Sequence, residues 1–453
     1  MIAEQLDDLW LDKMPSDWQR SRIRNVAVLS PSYSQTRPAS DELCTVVPME
    51  LLSDDGAIDV SNQQPLEDIS TGLPLLEKGD VLFAKITPCM ENGKGAFVRQ
   101  LPTRYAFGST EFHVLRAGNK ADGQFLYYAT FNPVYRAYAA QNMVGAAGQK
   151  RVSSRFLKDT RMFLPPLPEQ QRIAAYLDAS CTAIDAAVAA KRRQLETLDA
   201  LAGSILLHAL TIGLRPEVET HPTGASVLPQ IPVTWRFDRL KSVAAIRYGL
   251  GQPPAELSSG VAMIRATDVD AGMIRTDAFL RVDPEELPRD RNPYLKGGEI
   301  IVVRSGAYTG DSAIVPAALE GAVAGYDMVV TVTRASPRFI AYCLLSRYVL
   351  EGQLLLLTLR AAQPHLNAQE LGSVLLALPP TRKEQEAIAD YLDVKLAEGK
   401  SIVTGIETQI AILAAYRKSL IHECVTGQRR ITEADLRRAG DAPFVSSPSA
   451  KQL

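Results

Sequence analysis

Three short stretches resemble loops that carry chemistry in enzymes, and each departs from the required pattern. Residues 131–135, FNPVY, approach the N-P-P-[FY] loop that holds adenine in amino-methyltransferases, but Val134 replaces the second proline. Residues 248–252, YGLGQ, resemble a glycine loop for S-adenosylmethionine, yet two prolines follow where a helix should begin. Residues 92–97, NGKGAF, lack the upstream glycine of a phosphate-binding loop. We interpret the first stretch as a helical surface, the second as a turn and the third as a loop.

No other catalytic arrangement stands out in the sequence. There is no D/E-x-K cluster, no Ser/His/Asp set and no spacing typical of metal ligands, and the histidines are isolated. The five cysteines are odd in number and lack C-x-x-C spacing, so we predict small core residues rather than disulfides or a zinc site. The chain is therefore predicted to be no enzyme and to hold neither a metal nor a cofactor of its own.

Polar loops that contain glycine are better candidates for ligand contact. Arg, Lys, Asn and Gln read base edges, Ser, Thr and Tyr commonly hold phosphates, and glycine allows close backbone approach. Taken singly, each such residue is more typical of a solvated surface, but together they favour DNA. The predicted DNA-binding residues are Lys85, Thr87, Asn92, Lys94, Ser109, Thr110, Gln149, Lys150, Arg151, Arg265, Arg304, Ser305, Tyr308, Thr309, Arg360, Gln363, His365 and Asn367.

The overall charge of −2 lacks the basic excess that phosphate binding usually requires. The charge is nevertheless uneven: residues 85–161 contain twelve Lys and Arg against four Asp and Glu, whereas residues 1–84 contain six against fifteen. A basic face on a nearly neutral protein is therefore possible. The N-terminal residues lack a basic segment followed by an apolar run, and no stretch approaches twenty uncharged apolar residues. We therefore expect a cytoplasmic protein without a membrane partner.

The elements that position these loops occur twice. Residues 164–180, LPPLPEQQRIAAYLDAS, return as LPPTRKEQEAIADYLDV at residues 378–394. Further matches, such as KGDVLFAK at 78–85 with GGEIIVVR at 297–304, keep an offset between 214 and 219 residues. The sequence therefore predicts one duplicated unit with small insertions.

Each copy is predicted to have a globular part followed by a long helix. The globular parts contain short β-type runs such as DVLFAKI, EFHVLR, EIIVVR and MVVTVT between Gly, Pro and Asn residues. The helical parts show apolar steps of four and three from Ile173 to Ile205 and from Ile388 to Leu420. This heptad pattern favours pairing of the two helices, each about 64 Å long at 1.5 Å per residue. The alternative is two independent amphipathic helices, each lying on its own domain.

We predict an α+β fold with two globular α/β domains joined by two long antiparallel helices, which form a coiled coil with an internal pseudo-twofold repeat. The 453-residue length favours several domains. The predicted boundaries are 1–165 (first globular domain), 166–215 (first helix), 216–228 (linker), 229–378 (second globular domain), 379–428 (second helix) and 429–453 (C-terminal extension).

The doubled junction, the closing YRKSLIHECVTGQ at 416–428 and the ITP…NGKGAF…GSTEFHVLR run at 86–116 resemble the specificity subunit of type I restriction-modification systems, the HsdS family. The resemblance covers nearly the full chain. LHALTIGL at 207–214 matches the helix ending more loosely than HECVTGQ, and the C-terminal extension matches no pattern.

The resemblance implies a subunit without catalysis that reads a split, asymmetric target in double-stranded DNA through two target-recognition domains. The paired helices would set the gap between the half-sites and dock two modification subunits. Those subunits would bind S-adenosylmethionine and methylate adenine, and motor-nuclease restriction subunits are optional further partners. The residues assigned to the partner or helix interface are Glu169, Gln170, Ile173, Tyr176, Leu177, Glu384, Gln385, Ile388, Tyr391 and Leu392.

Two other functions remain open from the sequence. A coiled-coil interaction scaffold with two modules for non-DNA ligands would agree with the neutral overall charge. A self-sufficient adenine methyltransferase would need the N-P-P-[FY] and glycine loops that this chain lacks. Basic loops at equivalent places in both halves favour the DNA-reading function over both alternatives.

Overall fold

The structure is a computed structural model, and the chain divides into two compact units. Unit 1 consists of Met1–Arg192 and Glu407–Leu453, and unit 2 consists of Arg193–Ile406. Each unit is described by itself below. The residues that the structure describes are 15–31, 39–146, 148–276, 278–288, 292–358 and 365–440.

Two helices are far longer than the others, with 45 residues in Leu167–Thr211 and 44 in Arg382–Val425. A π-helical turn at Leu350–Leu354 separates the short helices Arg347–Val349 and Leu355–Thr358. The described α-helices are α1 (Gly123–Phe131), α2 (Pro133–Gln141), α3 (Ser154–Asp159), α4 (Leu167–Thr211), α5 (Pro337–Leu345), α6 (Arg347–Val349), α7 (Leu355–Thr358), α8 (Ala368–Ser373), α9 (Arg382–Val425) and α10 (Glu433–Gly440).

Unit 1 contains two four-stranded sheets, in the orders β2-β9-β6-β7 and β4-β3-β8-β5, and an antiparallel pair β1-β10. The first sheet is antiparallel throughout, whereas β3 and β8 run parallel. The strands of unit 1 are β1 (Gln19–Arg22), β2 (Ala27–Leu29), β3 (Leu43–Val47), β4 (Gln63–Pro65), β5 (Leu75–Leu76), β6 (Asp80–Ala84), β7 (Gly95–Phe97), β8 (Ala106–Gly108), β9 (Phe112–Ala117) and β10 (Arg161–Leu164).

Unit 2 has an antiparallel sheet of order β14-β22-β19-β20, a sheet of order β18-β15-β21, and three strand pairs, β13-β23, β11-β12 and β16-β17. Its strands are β11 (Thr220–Pro222), β12 (Gln230–Pro232), β13 (Arg236–Arg239), β14 (Ala244–Tyr248), β15 (Glu256–Ile264), β16 (Val269–Asp270), β17 (Met273–Ile274), β18 (Leu280–Val282), β19 (Ile300–Val302), β20 (Ser312–Ile314), β21 (Val323–Ala324), β22 (Met328–Val332) and β23 (Leu375–Leu378).

The two units repeat one topology. The order β2-β9-β6-β7 corresponds strand for strand to β14-β22-β19-β20, and the pair β1-β10 corresponds to β13-β23. In both units a parallel pair, β3-β8 or β15-β21, forms part of a second sheet. The predicted duplication and the four β-type runs are confirmed.

The predicted helix pairing is also confirmed within each unit. In unit 1, Ile173 and Leu177 near the start of α4 share a core with Leu420 and Cys424 near the end of α9. In unit 2, Leu210 at the end of α4 shares a core with residues near the start of α9. The start of one helix therefore packs with the end of the other, as antiparallel helices do, and independent helices are excluded.

Helix α4 is long and apolar enough to cross a membrane by length and composition alone, with a mean hydropathy of 1.3 over its most apolar window. Its burial pattern explains that composition. Ile173, Leu177, Cys181 and Ile184 are buried in the core of unit 1, whereas Ala175, Thr182 and Ala183 are exposed. The apolar residues therefore form a packing seam of the kind found in a core helix.

Some local predictions are corrected by the structure. FNPVY does enter a helix, because Asn132 caps α2, but Tyr135 and the following Arg136 are buried rather than on a surface. In NGKGAF only the first residues form a turn, since Gly95–Phe97 is strand β7. YGLGQ, predicted to be a turn, begins with the last residue of β14 and continues as a bent loop. Four cysteines are buried, and Cys89 is partly exposed.

Residues 429–440, the described part of the C-terminal extension, pack onto the rest of unit 1. Ile431 is buried in the core of the unit, and its carbonyl accepts a hydrogen bond from Arg172 Nε at 2.7 Å. Arg430 forms ion pairs with Asp17 at 2.7 Å and with Glu169 at 3.0 Å. The segment thereby ties the end of α9 to the first described residues and to the start of α4.

Candidate nucleic-acid interface

The doubled Glu-Gln dipeptide fixes each long helix to its own globular domain. In unit 1, Glu169 accepts a hydrogen bond from Trp18 Nε1 at 3.2 Å. Gln170 Oε1 accepts one from the backbone N–H of Asp122, the residue that caps α1, at 2.8 Å. Its Nε2 donates to the carbonyl of Pro165 at 2.8 Å. The buried amide thus satisfies backbone groups on both sides of the junction.

Unit 2 repeats these bonds residue for residue. Trp235 Nε1 donates to Glu384 at 3.1 Å, and Gln385 Oε1 accepts from the N–H of Ser336, which caps α5, at 2.7 Å. Gln385 Nε2 donates to the carbonyl of Pro379 at 3.0 Å. The repeated motif is therefore an anchor that holds a globular domain on the helices.

Most residues assigned to the partner or helix interface lie inside this anchor and do not face outward. Only Tyr391 is exposed, Glu384 is half-buried, and a partner protein could not reach the others without opening the unit. The buried members are Glu169, Gln170, Ile173, Tyr176, Leu177, Gln385, Ile388 and Leu392.

In unit 1 the chain leaving β6 is fixed against the loop at Arg151. Ile86 and Arg151 form an isolated antiparallel bridge, and the N–H of Val152 donates to the carbonyl of Lys85 at 2.9 Å. Arg151 donates to both carboxylate oxygens of Glu111, from Nε at 3.0 Å and from Nη2 at 2.9 Å. These bonds lower the pKa of Glu111 below its usual range. The guanidinium of Arg151 therefore already has a carboxylate partner within the chain.

A buried arginine that the sequence analysis missed supports the same loop. Arg136 Nε donates to the carbonyl of Thr130 at 2.9 Å, and Nη1 donates to those of Met90 at 3.3 Å and Lys94 at 3.2 Å. Its Cζ lies 4.1 Å from the centroid of the Phe83 ring. Burial lowers the pKa of Arg136 to about 10. Arg136 lies at a position of α2 that packs inward. A search for apolar residues alone does not reveal a buried arginine at such a position.

The other predicted contacts of unit 1 lie in three segments that the fold brings together. Thr87 N–H donates to the carbonyl of Lys150 at 3.0 Å, so the loops after β6 and before Val152 are joined. Lys94 instead turns inward, and its Nζ donates to the carbonyl of Met49 at 3.2 Å. Ser109 and Thr87 are half-buried. The exposed candidates are Asn92, Thr110, Gln149 and Lys150.

In unit 2 the corresponding junction follows β19. Ser305 and His365 form the isolated bridge, and the N–H of Leu366 donates to the carbonyl of Arg304 at 2.8 Å. The Arg304 N–H donates to Oδ1 of Asp327 at 3.2 Å, and its Nη2 lies 2.8 Å from His365 Nε2. Burial raises the pKa of Asp327 to about 6, against the opposing effect of Arg304. The backbone bonds of unit 1 recur here with different side chains.

Two tyrosines that sequence reasoning did not select complete this cluster. Arg304 Cζ lies 4.6 Å from the ring centroid of Tyr248 and 4.4 Å from that of Tyr326. Tyr248 is 38% exposed and Tyr326 is 50% exposed. Tyr248 belongs to the YGLGQ stretch, which offered no sign of this contact because the partners lie 56 and 78 residues further along the chain.

The remaining candidates of unit 2 have mixed placements. Thr309 is buried and donates to the carbonyl of Gly306 at 2.7 Å, while Tyr308 is exposed. Asn367 caps α8, and Arg265 is ion-paired with Asp268 at 3.1 Å. Arg360 and Gln363 lie outside the described residues. Lys94, Arg151, Thr309 and Asn367 thus have structural partners that the sequence could not show.

The basic segment is less positive in space than along the chain. Arg116 is bonded to Asp80 at 2.8 Å, and Arg99 is ion-paired with Asp178. Asp80 and Asp178 come from outside residues 85–161, and Glu111 within this segment pairs with Arg151, so three of its arginines already face carboxylates. Among the described residues, no group of three or more His, Cys, Asp or Glu side chains could hold a metal ion.

Comparison with known proteins agrees with this duplicated architecture. The sequence pattern of the family described as "Type I restriction modification DNA specificity domain" matches residues 15–197 and 232–411. The EcoAI specificity subunit of Escherichia coli is 30% identical over 164 residues, which is 36% of this chain and 27% of that protein. The EcoBI specificity subunit of Escherichia coli is 24% identical over 324 residues, covering 68% and 66% of the two chains.

A solved structure titled "Structural basis underlying complex assembly and conformational transition of the type I R-M system" has the same fold. Its TM-score is 0.73 at 19% identity, and the match covers 92% of this chain and 100% of the other. The fold and the two junctions define a duplicated protein with two domains built on paired helices. Since the family pattern matches both halves, the chain belongs to the type I restriction modification DNA specificity family.

Proposed function

We propose that this chain is the non-catalytic DNA sequence-recognition subunit of a type I restriction-modification complex. Each unit would read one half of a bipartite, asymmetric target in double-stranded DNA. The observation that carries the proposal is the repeated junction, in which one backbone arrangement presents Lys85 in unit 1 and Arg304 in unit 2. A single frame used twice with different side chains suits two independent half-sites.

Catalysis belongs to partner subunits in this proposal. Modification subunits would bind S-adenosylmethionine and methylate adenine N6, and restriction subunits would cleave unmodified DNA where a system has them. The complex would act in the cytoplasm. The chain's own residues would position DNA by phosphate contacts and select its sequence by base contacts.

Exposed apolar side chains on α9 support the docking of partner proteins. Within unit 2, Tyr391, Val394 and Ile402 are exposed, and within unit 1 Ile412 and Tyr416 are exposed. These positions differ from the buried seam that pairs α9 with α4. A second apolar row on a helix is typical of a surface that another protein covers. We assign it to two modification subunits.

The test is to sequence N6-methyladenine in a host that carries the modification subunit, with and without this chain. We expect a split, asymmetric motif that is methylated only when the chain is present. Exchange of residues 229–377 for the corresponding domain of another family member should change one half of that motif. Methylation that does not depend on the chain, or an exchange that alters both halves, would contradict the proposal.

A second measurement addresses catalysis directly. The purified chain, incubated with labelled S-adenosylmethionine and duplex DNA, should transfer no methyl group above background until the modification subunit is added. Methyl transfer by the chain alone would show that it is an enzyme.

The docking surface is tested by substitution on α9. Val394→Asp and Ile402→Asp should weaken assembly of the complex, whereas Glu398→Gln on the same helix should not.

A further inference from the structure

Arg304 in unit 2 is half-buried and packs against two exposed tyrosines. The guanidinium lies against two aromatic rings, those of Tyr248 and Tyr326, at centroid distances of 4.6 and 4.4 Å. Aromatic rings attract a guanidinium and restrict its rotation. Arg304 is therefore held near the surface in a limited set of conformations.

The groups around Arg304 are themselves fixed. Tyr248 Oη accepts a hydrogen bond from the N–H of Ala368, the first residue of α8, at 3.0 Å. Asp327 is buried and accepts from the Arg304 N–H, while His365 lies 2.8 Å from Nη2. Much of the side-chain entropy that binding normally costs is thus already lost in the free protein.

The guanidinium still has donors to offer. It carries five N–H groups, and His365 is its one hydrogen-bond partner within the described part of the chain. His365 can accept only one of these hydrogens, so hydrogens on both terminal nitrogens remain for a ligand. The guanidinium therefore presents a planar pair of donors beside two exposed tyrosines.

Among the four bases, guanine is the best match to two parallel donors. Its O6 and N7 are adjacent acceptors in the major groove, whereas adenine offers one acceptor beside a donor and thymine one acceptor beside a methyl group. The arginine at the corresponding junction of unit 1 differs in this respect. Arg151 already donates hydrogen bonds from Nε and Nη2 to Glu111.

We infer that Arg304 reads a guanine in the half-site recognised by unit 2, and that Tyr248, Tyr326 and His365 position it. The inference rests on the proposed function and adds one base and one specificity-determining residue to it. Within the motif, the guanine lies in the half that changes when residues 229–377 are exchanged.

The experiment uses the complex of this chain with its modification subunit. In methylation maps, Arg304→Gln and Arg304→Lys should each relax one guanine position of the unit 2 half-site, with about a 10- to 100-fold loss of discrimination. The other half-site should be unchanged. Arg304→Lys keeps the charge but not the fork, so it separates base reading from phosphate attraction. Arg334→Lys, at an exposed arginine of unit 2 outside the candidate loops, is the matched control.

A base analogue tests the contact itself. Replacing the critical guanine by 7-deazaguanine removes N7, and this should weaken binding of the wild-type complex but not of the Arg304→Gln complex. Tyr326→Ala should also reduce discrimination, whereas Tyr294→Ala, at an exposed tyrosine of unit 2 outside the Arg304 cluster, should not.

Two results would overturn the inference while leaving the proposed function intact. One is a unit 2 half-site without guanine, and the other is full discrimination by Arg304→Lys. If the chain directs no sequence-specific methylation at all, the proposed function itself fails, and the two failures are therefore distinguishable.

Discussion

The junctions after β6 in unit 1 and after β19 in unit 2 share their backbone bonds but use their charges differently. In unit 1, Arg151 is neutralised by Glu111, and a second arginine, Arg136, is buried beneath the loop. In unit 2, Arg304 lies near the surface against Tyr248 and Tyr326. Duplication therefore preserved the main-chain frame, while the side chains on it came to present different chemistry.

A second difference concerns the ends of the long helices. In unit 1, Tyr176 is only 7% exposed, and Arg429 Cζ lies 5.4 Å from its ring centroid. In unit 2 the corresponding Tyr391 is 37% exposed and lines an open cavity of about 360 Å³ together with His208 and Leu214. The C-terminal extension thus closes in unit 1 a surface that unit 2 leaves open.

The largest effect should come from the buried arginine of unit 1. Arg136→Met should lower the free energy of unfolding by about 4 kcal/mol, because three carbonyls lose their donor in a buried site. Urea denaturation followed by circular dichroism measures this change. Arg347→Met is the control, since Arg347 is exposed and forms ion pairs with the exposed Asp199 and Glu351. Equal losses of unfolding free energy in the two variants would contradict the larger contribution expected from the buried arginine.

The buried carboxyl of unit 2 should give a pH-dependent difference. The pKa of Asp327 is about 6 in the folded protein against an ordinary value of 3.8, so between these values the folded state keeps a proton that the unfolded state releases. Its contribution to stability is therefore present below pH 3.8 and lost as pH rises through 6.

Asp327→Asn removes this dependence while keeping an acceptor for the Arg304 N–H. The unfolding free energy of the wild type minus that of the variant should fall by about 2 kcal/mol from pH 4 to pH 7. Denaturation curves at several pH values measure it. A difference that stays constant across this window would contradict the raised pKa.

The paired tryptophans allow a direct comparison of the two anchors. Trp18→Phe should destabilise unit 1 by about 1–2 kcal/mol, because buried Glu169 loses a donor and keeps only its ion pair with Arg430. Trp235→Phe should cost less, since Glu384 is half-buried and water can replace the bond. Thermal unfolding of both variants provides the measurement, and the reverse order would show that exposure of the carboxylate does not decide the cost.

The smallest effect should be on phosphate attraction. Lys150→Ala should weaken DNA binding across sequences and flatten the logarithmic salt dependence by about one unit, because Lys150 is exposed. Arg151→Ala should change the slope less, since Glu111 already neutralises that charge. Binding titrations at several salt concentrations compare the two. If Arg151→Ala had the larger effect, the Glu111 pair would have to open on DNA.

Much of the fold follows from local patterns. The apolar steps from Ile173 and from Ile388 predicted both long helices, since a 4-3 repeat places those residues on one helical face. The β-type runs predicted β6, β9, β19 and β22 because strands need alternating or continuous apolar residues over a few positions. The candidate loops were found by composition, and their segments in unit 1 do come together.

The sequence by itself determined the duplication, the two long helices with their seams, and the loops in which DNA contacts should be sought. Only the tertiary structure decided which polar side chains remain available. Arg151 is ion-paired with Glu111, and Lys94 donates a hydrogen bond to the carbonyl of Met49. The guanidinium of Arg304 packs against the rings of Tyr248 and Tyr326. Periodicity is a property of neighbouring residues, whereas the pairing of a charge depends on partners that lie tens of residues away along the chain and meet only when the sheets form.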